Sequence, residues 1–308
     1  MKRIFGFGSA AVDFRITTAD LGELYKDKLL ARETAAMGGG ACANCMVQAS
    51  RLGGSAYWLG KLGNDWIAEK VLSGLSDEGV NCNHVIQDAR YSSPFNLAVY
   101  AGESRRRVGG FLLSNSLNEL TIEEVKQLAS IINSDDIVYM EIGEIKLDIC
   151  LEFSRQVKQR GAMLIVDVDL DPEKQCTGEP DAFHSIMKLS DVIVPNLDAV
   201  KGITKISEPQ KTAMFLAKEY SAAVIVTAGA DGAYYSEDGV AAFHQKPFDT
   251  DCVDTVGAGD AFHGGLVFGL AKGLNIKDSI TIAAKCGAYA CRNFGARTSM
   301  PGYSEIAV

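Results

Sequence analysis

The segment Asp254-Thr-Val-Gly-Ala-Gly-Asp-Ala-Phe-His-Gly-Gly265 sets an acid beside a glycine-rich turn that leads into an apolar helical run, Ala261 to Ala271. Backbone N–H groups at such a turn and helix start point outward and gather positive potential, so Gly257, Ala258 and Gly259 read as an anion site. Asp260 would repel the anion if the turn only held phosphate. It fits if its carboxylate stands beside a reacting phosphoryl group and takes a proton from an attacking hydroxyl. The competing reading makes Asp260 the helix N-cap, a place that Asp often fills. On these residues alone the two readings are level.

Other chemistry-bearing patterns are weaker. Gly6-Phe-Gly8-Ser-Ala-Ala11 and Gly38-Gly-Gly40-Ala-Cys-Ala43 both match a loose GxGxxA dinucleotide pattern. The first runs into the β-like Val12-Asp-Phe-Arg-Ile16 instead of a helix, and no good buried strand precedes the second. Cys42 and Cys45 form a CxxC pair, but no second pair follows at zinc-site spacing. The four histidines, His84, His184, His244 and His263, are scattered. The two cysteines read as small packing residues.

The elements that must carry these residues are legible from about residue 121. Thr121-Ile-Glu-Glu124 predicts a capping box opening a helix to Ile132. Apolar strands follow at Asp136–Met140, Met163–Asp167, Asp191–Pro195 and Ala223–Thr227, separated by helices near Leu147–Arg160 and Gln210–Tyr220. Short continuous apolar strands alternating with amphipathic helices predict a mostly parallel sheet sandwiched by helices. Its ligands should gather at the carboxyl ends of the strands, where Asp167, Pro195-Asn196 and Thr227 sit. Val12–Ile16 and parts of Ser92–Ala101 alternate apolar and polar, which predicts exposed antiparallel strands. The expected organisation is one α/β domain over residues 1–308 with a small β lid, at about 12–37 and 92–112.

Composition bounds the function. The chain has 308 residues, 47% hydrophobic and 22% charged, which excludes a disordered or collagen-like chain. Its formal charge of −9 excludes a broad basic field for nucleic acid or an anionic membrane surface. No apolar run approaches the roughly 18–20 residues of a membrane span. Eight cysteines without a secretion signal predict reduced thiols and a cytoplasmic setting.

The Asp254–Gly265 segment closely resembles the second signature of the ribokinase-like, or PfkB, family of carbohydrate kinases, built on a DTxGAGD core. The first signature is similar to Gly39-Gly-Ala-Cys-Ala-Asn44 followed by Ala49-Ser-Arg-Leu-Gly53. Further landmarks follow in order: Gly8 to Asp13, Gly60-Lys-Leu-Gly-Asn-Asp65, Pro195-Asn196, Val226-Thr-Ala-Gly-Ala-Asp-Gly232 and Gly295-Ala-Arg-Thr-Ser-Met-Pro301. The resemblance spans nearly the whole chain and implies a ribokinase-like fold that transfers the γ-phosphoryl group of ATP to a hydroxymethyl group.

The resemblance also implies residue roles. Asp260 matches the catalytic base, and Gly257, Ala258 and Gly259 match the anion hole. Asp13, Gly39, Gly40 and Asn44 match the substrate side. Asn196, Thr227, Gly229 and Gly232 match the ATP side, with Asn196 near a Mg²⁺–phosphate network. Asp254 and Ser299 match a monovalent-cation site that holds potassium in many members. A homodimer through the lid is the expected assembly. The family's NxxE element would put Glu at position 199, where Ala199 stands, and Asp198 is the nearby substitute. Ala11 and Ala41 replace polar residues of ribokinase proper, which argues against ribose itself. Arg105-Arg-Arg107 in the lid suggests an anionic sugar, with Arg107 in contact, whereas Glu141 and Glu144 favour a neutral hydroxyl-rich ligand. A nucleoside kinase and a non-catalytic sugar or nucleotide sensor are the rival readings.

Overall fold

The computed structural model describes residues 1–19, 30–101, 106–172 and 180–306, with only the backbone given for 106–108 and 180. The main sheet has eight strands. Their spatial order is Ser55–Leu59, Arg3–Phe7, Ile137–Ile142, Met163–Val168, Val192–Pro195, Ala223–Thr227, Ala233–Ser236 and Phe243–Gln245. The first six run parallel, and the last two add antiparallel. All six residues of Ile137–Ile142 are buried, which is why Ile137–Met140 reads as an apolar run, with Glu141 the one acid carried inside the strand. Pleating divides it between two cores. Ile137 and Tyr139 face the helices Ala41–Arg51 and Ala258–Ala271, whereas Val138 and Met140 face Leu147–Gln159.

The predicted capping box is present. Thr121 Oγ1 accepts from the Glu124 N–H at 3.2 Å, and Glu124 Oε2 accepts from the Thr121 N–H at 2.8 Å. The helix stops at Ala129, short of Ile132, where the N–H groups of Ser130 and Ile132 turn to acceptors three residues back.

A second sheet of four strands orders as Glu33–Gly39, Ala11–Thr18, Phe95–Ala101 and Arg106–Leu113. The expected antiparallel strands are corrected in one respect: Ala11–Thr18 and Phe95–Ala101 pair parallel to each other, from Val12 opposite Phe95 onward. The chain between them passes through elements of both sheets, so no hairpin joins them. Alternation puts Asp13 and Asn96 on one face. Phe14 on the other meets Trp66 and Phe95 edge-on, with ring centroids 5.9 and 5.8 Å away.

Candidate active site

The helices Ala41–Arg51 and Ala258–Ala271 cross closely at Gly264, where a Cβ would lie 2.5 Å from Gln48 Cβ and 2.6 Å from the Cys45 carbonyl. This crossing carries Asn44 to Asp260: Asn44 is buried, and its Nδ2 donates to Asp260 Oδ2 at 2.7 Å. The helix begins at Ala258, earlier than the apolar run suggested, with Gly257 as N-cap at φ 83°. Asp260 is therefore the third helical residue and not the cap. Among the described residues, no protein acceptor takes the Gly259 or Asp260 N–H. These are the orphan donors of a helix start, aimed where an anion is favoured. Asn44 likewise caps nothing, because Gly40 holds that place in its own helix.

Asp260 is half-buried beside the cavity-lining Gly259. Burial, reinforced by negative Asp169, Glu141 and Asp13, pushes its carboxyl up to about 8, against the opposing pull of the Asn44 amide.

On the side of the four-stranded sheet, Asn96 Nδ2 donates to Asp13 Oδ1 at 2.8 Å. Gly39 allows this placement, since a Cβ there would lie 2.0 Å from Asp13 Oδ1. Glu141 is buried, and its Oε2 accepts from Ser9 N at 2.9 Å, Ser9 Oγ at 2.7 Å and Cys42 N at 3.1 Å. That oxygen ties the end of the first strand to the start of the helix Ala41–Arg51. Glu144 accepts from Ser114 Oγ at 3.1 Å, and burial beside Glu141 pushes its carboxyl up to about 8.

Opposite lies a cavity of about 1000 Å³, lined by Asn196, Thr227, Gly229, Gly232 and Gly259, among others. Asn196 caps the helix Leu197–Thr204 by accepting from the Ala199 N–H at 2.7 Å. Its Nδ2 donates to Asp169 Oδ1 at 2.6 Å. Ala199 is packed in the core, and Asp198 pairs with Lys201 at 2.6 Å while its side chain is 89% exposed. The acid beside Asn196 is thus Asp169. Asp167, expected at the ligand-gathering strand ends, is corrected to a position beneath the floor: it is buried and accepts from Tyr139 Oη at 2.6 Å. The chain emerges into the cleft only at Asp169 and Asp171.

The described residues contain no cluster of three or more His, Cys, Asp or Glu side chains set to hold a metal. Asp254 Oδ1 accepts from the Val256 N–H and Oδ2 from the Gly295 N–H, each at 3.1 Å. Ser299 Oγ accepts from Asn293 Nδ2 at 2.8 Å. Asp254 therefore clips the C-terminal loop to the anion turn, and no direct bond joins it to Ser299. The Arg107 backbone pairs opposite Tyr100, while its side chain, like Arg105 as a whole, lies outside the described residues.

Sequence reasoning missed Asn96, Asp169 and Arg297, which contact the expected site residues Asp13, Asn196 and Asn44. Arg15, two residues past Asp13, is stacked over Tyr100 and Phe294, with guanidinium–centroid distances of 4.4 and 4.9 Å. Arg297 lay within a quoted landmark without an assigned contact, although its Nε donates to Asn44 Oδ1 at 2.7 Å.

A family model described as pfkB family carbohydrate kinase matches residues 1–302. A ribokinase of Schizosaccharomyces pombe is 27% identical over 87% of this chain and 85% of its own. An aminoimidazole riboside kinase of Salmonella typhimurium is 27% identical over 85% of this chain and 84% of its own. The structure of Arabidopsis thaliana ribokinase complexed with ribose and ATP superposes with a TM-score of 0.84 at 20% identity, covering 100% of this chain and 98% of that one. That last likeness establishes the fold.

Proposed function

The chain belongs to the pfkB family of carbohydrate kinases, phosphotransferases with an alcohol acceptor, and from that premise we propose how its site performs the transfer. ATP occupies the cavity along Asn196, Thr227, Gly229 and Gly232, and a hydroxymethyl group of a sugar or sugar-like alcohol lies between Asp13 and Asp260. Asp260 takes the hydroxyl proton while the freed oxygen attacks the γ-phosphorus. The bond from that phosphorus to the ADP oxygen breaks, and the Gly257–Gly259 turn, through the unpartnered Gly259 and Asp260 N–H groups, holds the transferring charge. The observation that carries this reading is Asp260 in the first helical turn, directly beside orphan backbone donors.

Oxygen donors at Asp169 and Asp171 beside Asn196 fit Mg²⁺, which keeps several waters and takes one or two carboxylates. Bound there, Mg²⁺ would neutralise phosphate charge. Potassium beside the anion turn belongs to the same reading, as do a cytoplasmic setting and a homodimer through the lid, where Phe111 and Leu112 are exposed.

ADP release with a panel of sugars, phosphosugars and nucleosides tests the reading. Acceptor-dependent release well above background hydrolysis is expected for at least one. If a ligand raises thermal stability while no member of the panel is turned over, the sensor reading replaces it.

Two further results are expected. The Asp260 carboxyl is held above its ordinary range, so the fraction of it that can act as a base grows as pH rises through neutrality. Accordingly kcat/KM should climb with pH to a midpoint near 8. A flat profile between pH 6 and 9, with chemistry limiting, would count against the assignment. Gly39→Ala should raise the acceptor KM about tenfold or more while leaving the ATP KM nearly unchanged, because its Cβ displaces Asp13. Initial-rate kinetics with each substrate varied in turn separate the two.

A further inference from the structure

The strongest observation outside the assigned roles is the chain of contacts from Arg297 through Asn44 to Asp260. Arg297 Nε donates to Asn44 Oδ1 at 2.7 Å, and Nη2 donates to the Gly39 carbonyl at 3.1 Å. Its Nη1 lies over Gly38, where a Cβ would come within 2.3 Å of it. The Arg297 carbonyl in turn accepts from Arg51 Nη1 at 2.6 Å, and Arg51 forks onto Glu78 at 2.8 and 2.6 Å. The Arg297 backbone is therefore anchored by a second arginine, while its guanidinium meets Asn44 and the Gly39 carbonyl.

A guanidinium has only donors, so the atom of the Asn44 amide that faces it must be the oxygen. That commits the Asn44 NH₂ to the other side, where Asp260 Oδ2 lies 2.7 Å away. An NH₂ facing a carboxyl favours its ionised form. An amide turned by 180° would present oxygen instead and favour the protonated form. Resting on the kinase reading above, we propose that Arg297 is a positioning residue that locks the Asn44 amide so that Asp260 is kept as a proton acceptor. The same contact joins the Gly39 side of the site to the base, so the base is oriented from the substrate loop.

The surroundings make this lock consequential. Asp260 is faced by the carboxyls of Asp13, Glu141 and Asp169, which disfavour its charge, while the buried thiols of Cys42 and Cys45 stay protonated and add no charge of their own. Arg297 is a cation drawn toward the negative charges of both Asp13 and Asp260. The Asn44 donor and the Arg297 charge therefore act in the same direction.

The test reads the carboxyl directly in the full chain labelled with ¹³C-aspartate, the Asp260 signal being identified by its loss in Asp260→Asn. Arg297→Met and Arg297→Gln should each move the Asp260 titration midpoint upward by about one unit, a tenfold gain in proton affinity. Arg297→Lys, still donor-only, should return part of that shift. Asn44→Leu should raise the midpoint by itself and shrink the effect of adding Arg297→Met. In kinetics, Arg297→Met should lose about tenfold in kcat at neutral pH and recover as pH is raised. If Arg297→Met and Arg297→Gln leave the midpoint in place and lower only the melting temperature, Arg297 is structural and the proposal fails. Should Arg297→Met not fold, the Gln, Lys and Asn44→Leu titrations decide by the same criteria. The titration needs no turnover, so its failure is distinct from failure of the acceptor panel.

Discussion

Replacing Asp260 by Asn lowers turnover by about 10²–10⁴-fold, the usual worth of a positioned general base. The amide is isosteric and can still accept from Asn44 Nδ2 through its oxygen, so the helix start and the 2.7 Å contact survive. What it cannot do is take a proton from the acceptor hydroxyl. ATP affinity should change little, because the cavity along Asn196, Thr227 and Gly229 is lined by other residues. Stability should hold or improve, since a carboxyl held above its ordinary range is replaced by a neutral group. Single-turnover rates with thermal melts check both halves. A variant within tenfold of the parent rate, measured where chemistry is limiting, would remove Asp260 from the role.

Gly257→Val should be nearly as damaging by a different route. Gly257 sits at φ 83°, where a residue with a Cβ is strained by about 1–2 kcal/mol. A Cβ would also lie 2.6 Å from both the Ala296 Cα and the Ala296 carbonyl oxygen. These are backbone atoms of the loop that Asp254 clips in place through Gly295, so neither side can yield by a rotamer change. The helix start must move, and its amides leave the place where charge develops. Loss of one such donor costs about 10²–10³ in kcat. Unlike Asp260→Asn, this variant should also bind ATP more weakly and unfold at lower denaturant. Unchanged kcat with only reduced stability would show that the turn is a structural corner and not an anion site.

The parts of the site that were legible in the sequence are those fixed by local chemistry. Gly257, Gly259 and Asp260 announce a helix N-terminus with an acid, and Thr121 and Glu124 announce a capping box, because each involves partners within a few residues. The parallel strands were legible because burial on both faces leaves no polar alternation. What escaped depends on long-range pairing. The contact of Asn44 with Asp260 spans 216 positions, and that of Arg297 with Asn44 spans 253, so no spacing rule relates them. Asn96 meets Asp13 only because the strands Ala11–Thr18 and Phe95–Ala101 pair parallel in that register. Asp169 was passed over for Asp167 because both lie near one strand end, and only the extent of that strand decides which acid clears the floor.

The central claim is that this cleft moves the γ-phosphoryl group of ATP to an alcohol. Its most direct test is ³¹P NMR of the protein with MgATP and the acceptor that gives the highest ADP release. The account predicts a new phosphate monoester resonance split by the two protons of a CH₂–O–P group, growing in step with ADP and absent with Asp260→Asn. If ATP loss yields only inorganic phosphate at the same rate with and without acceptor, the account is contradicted.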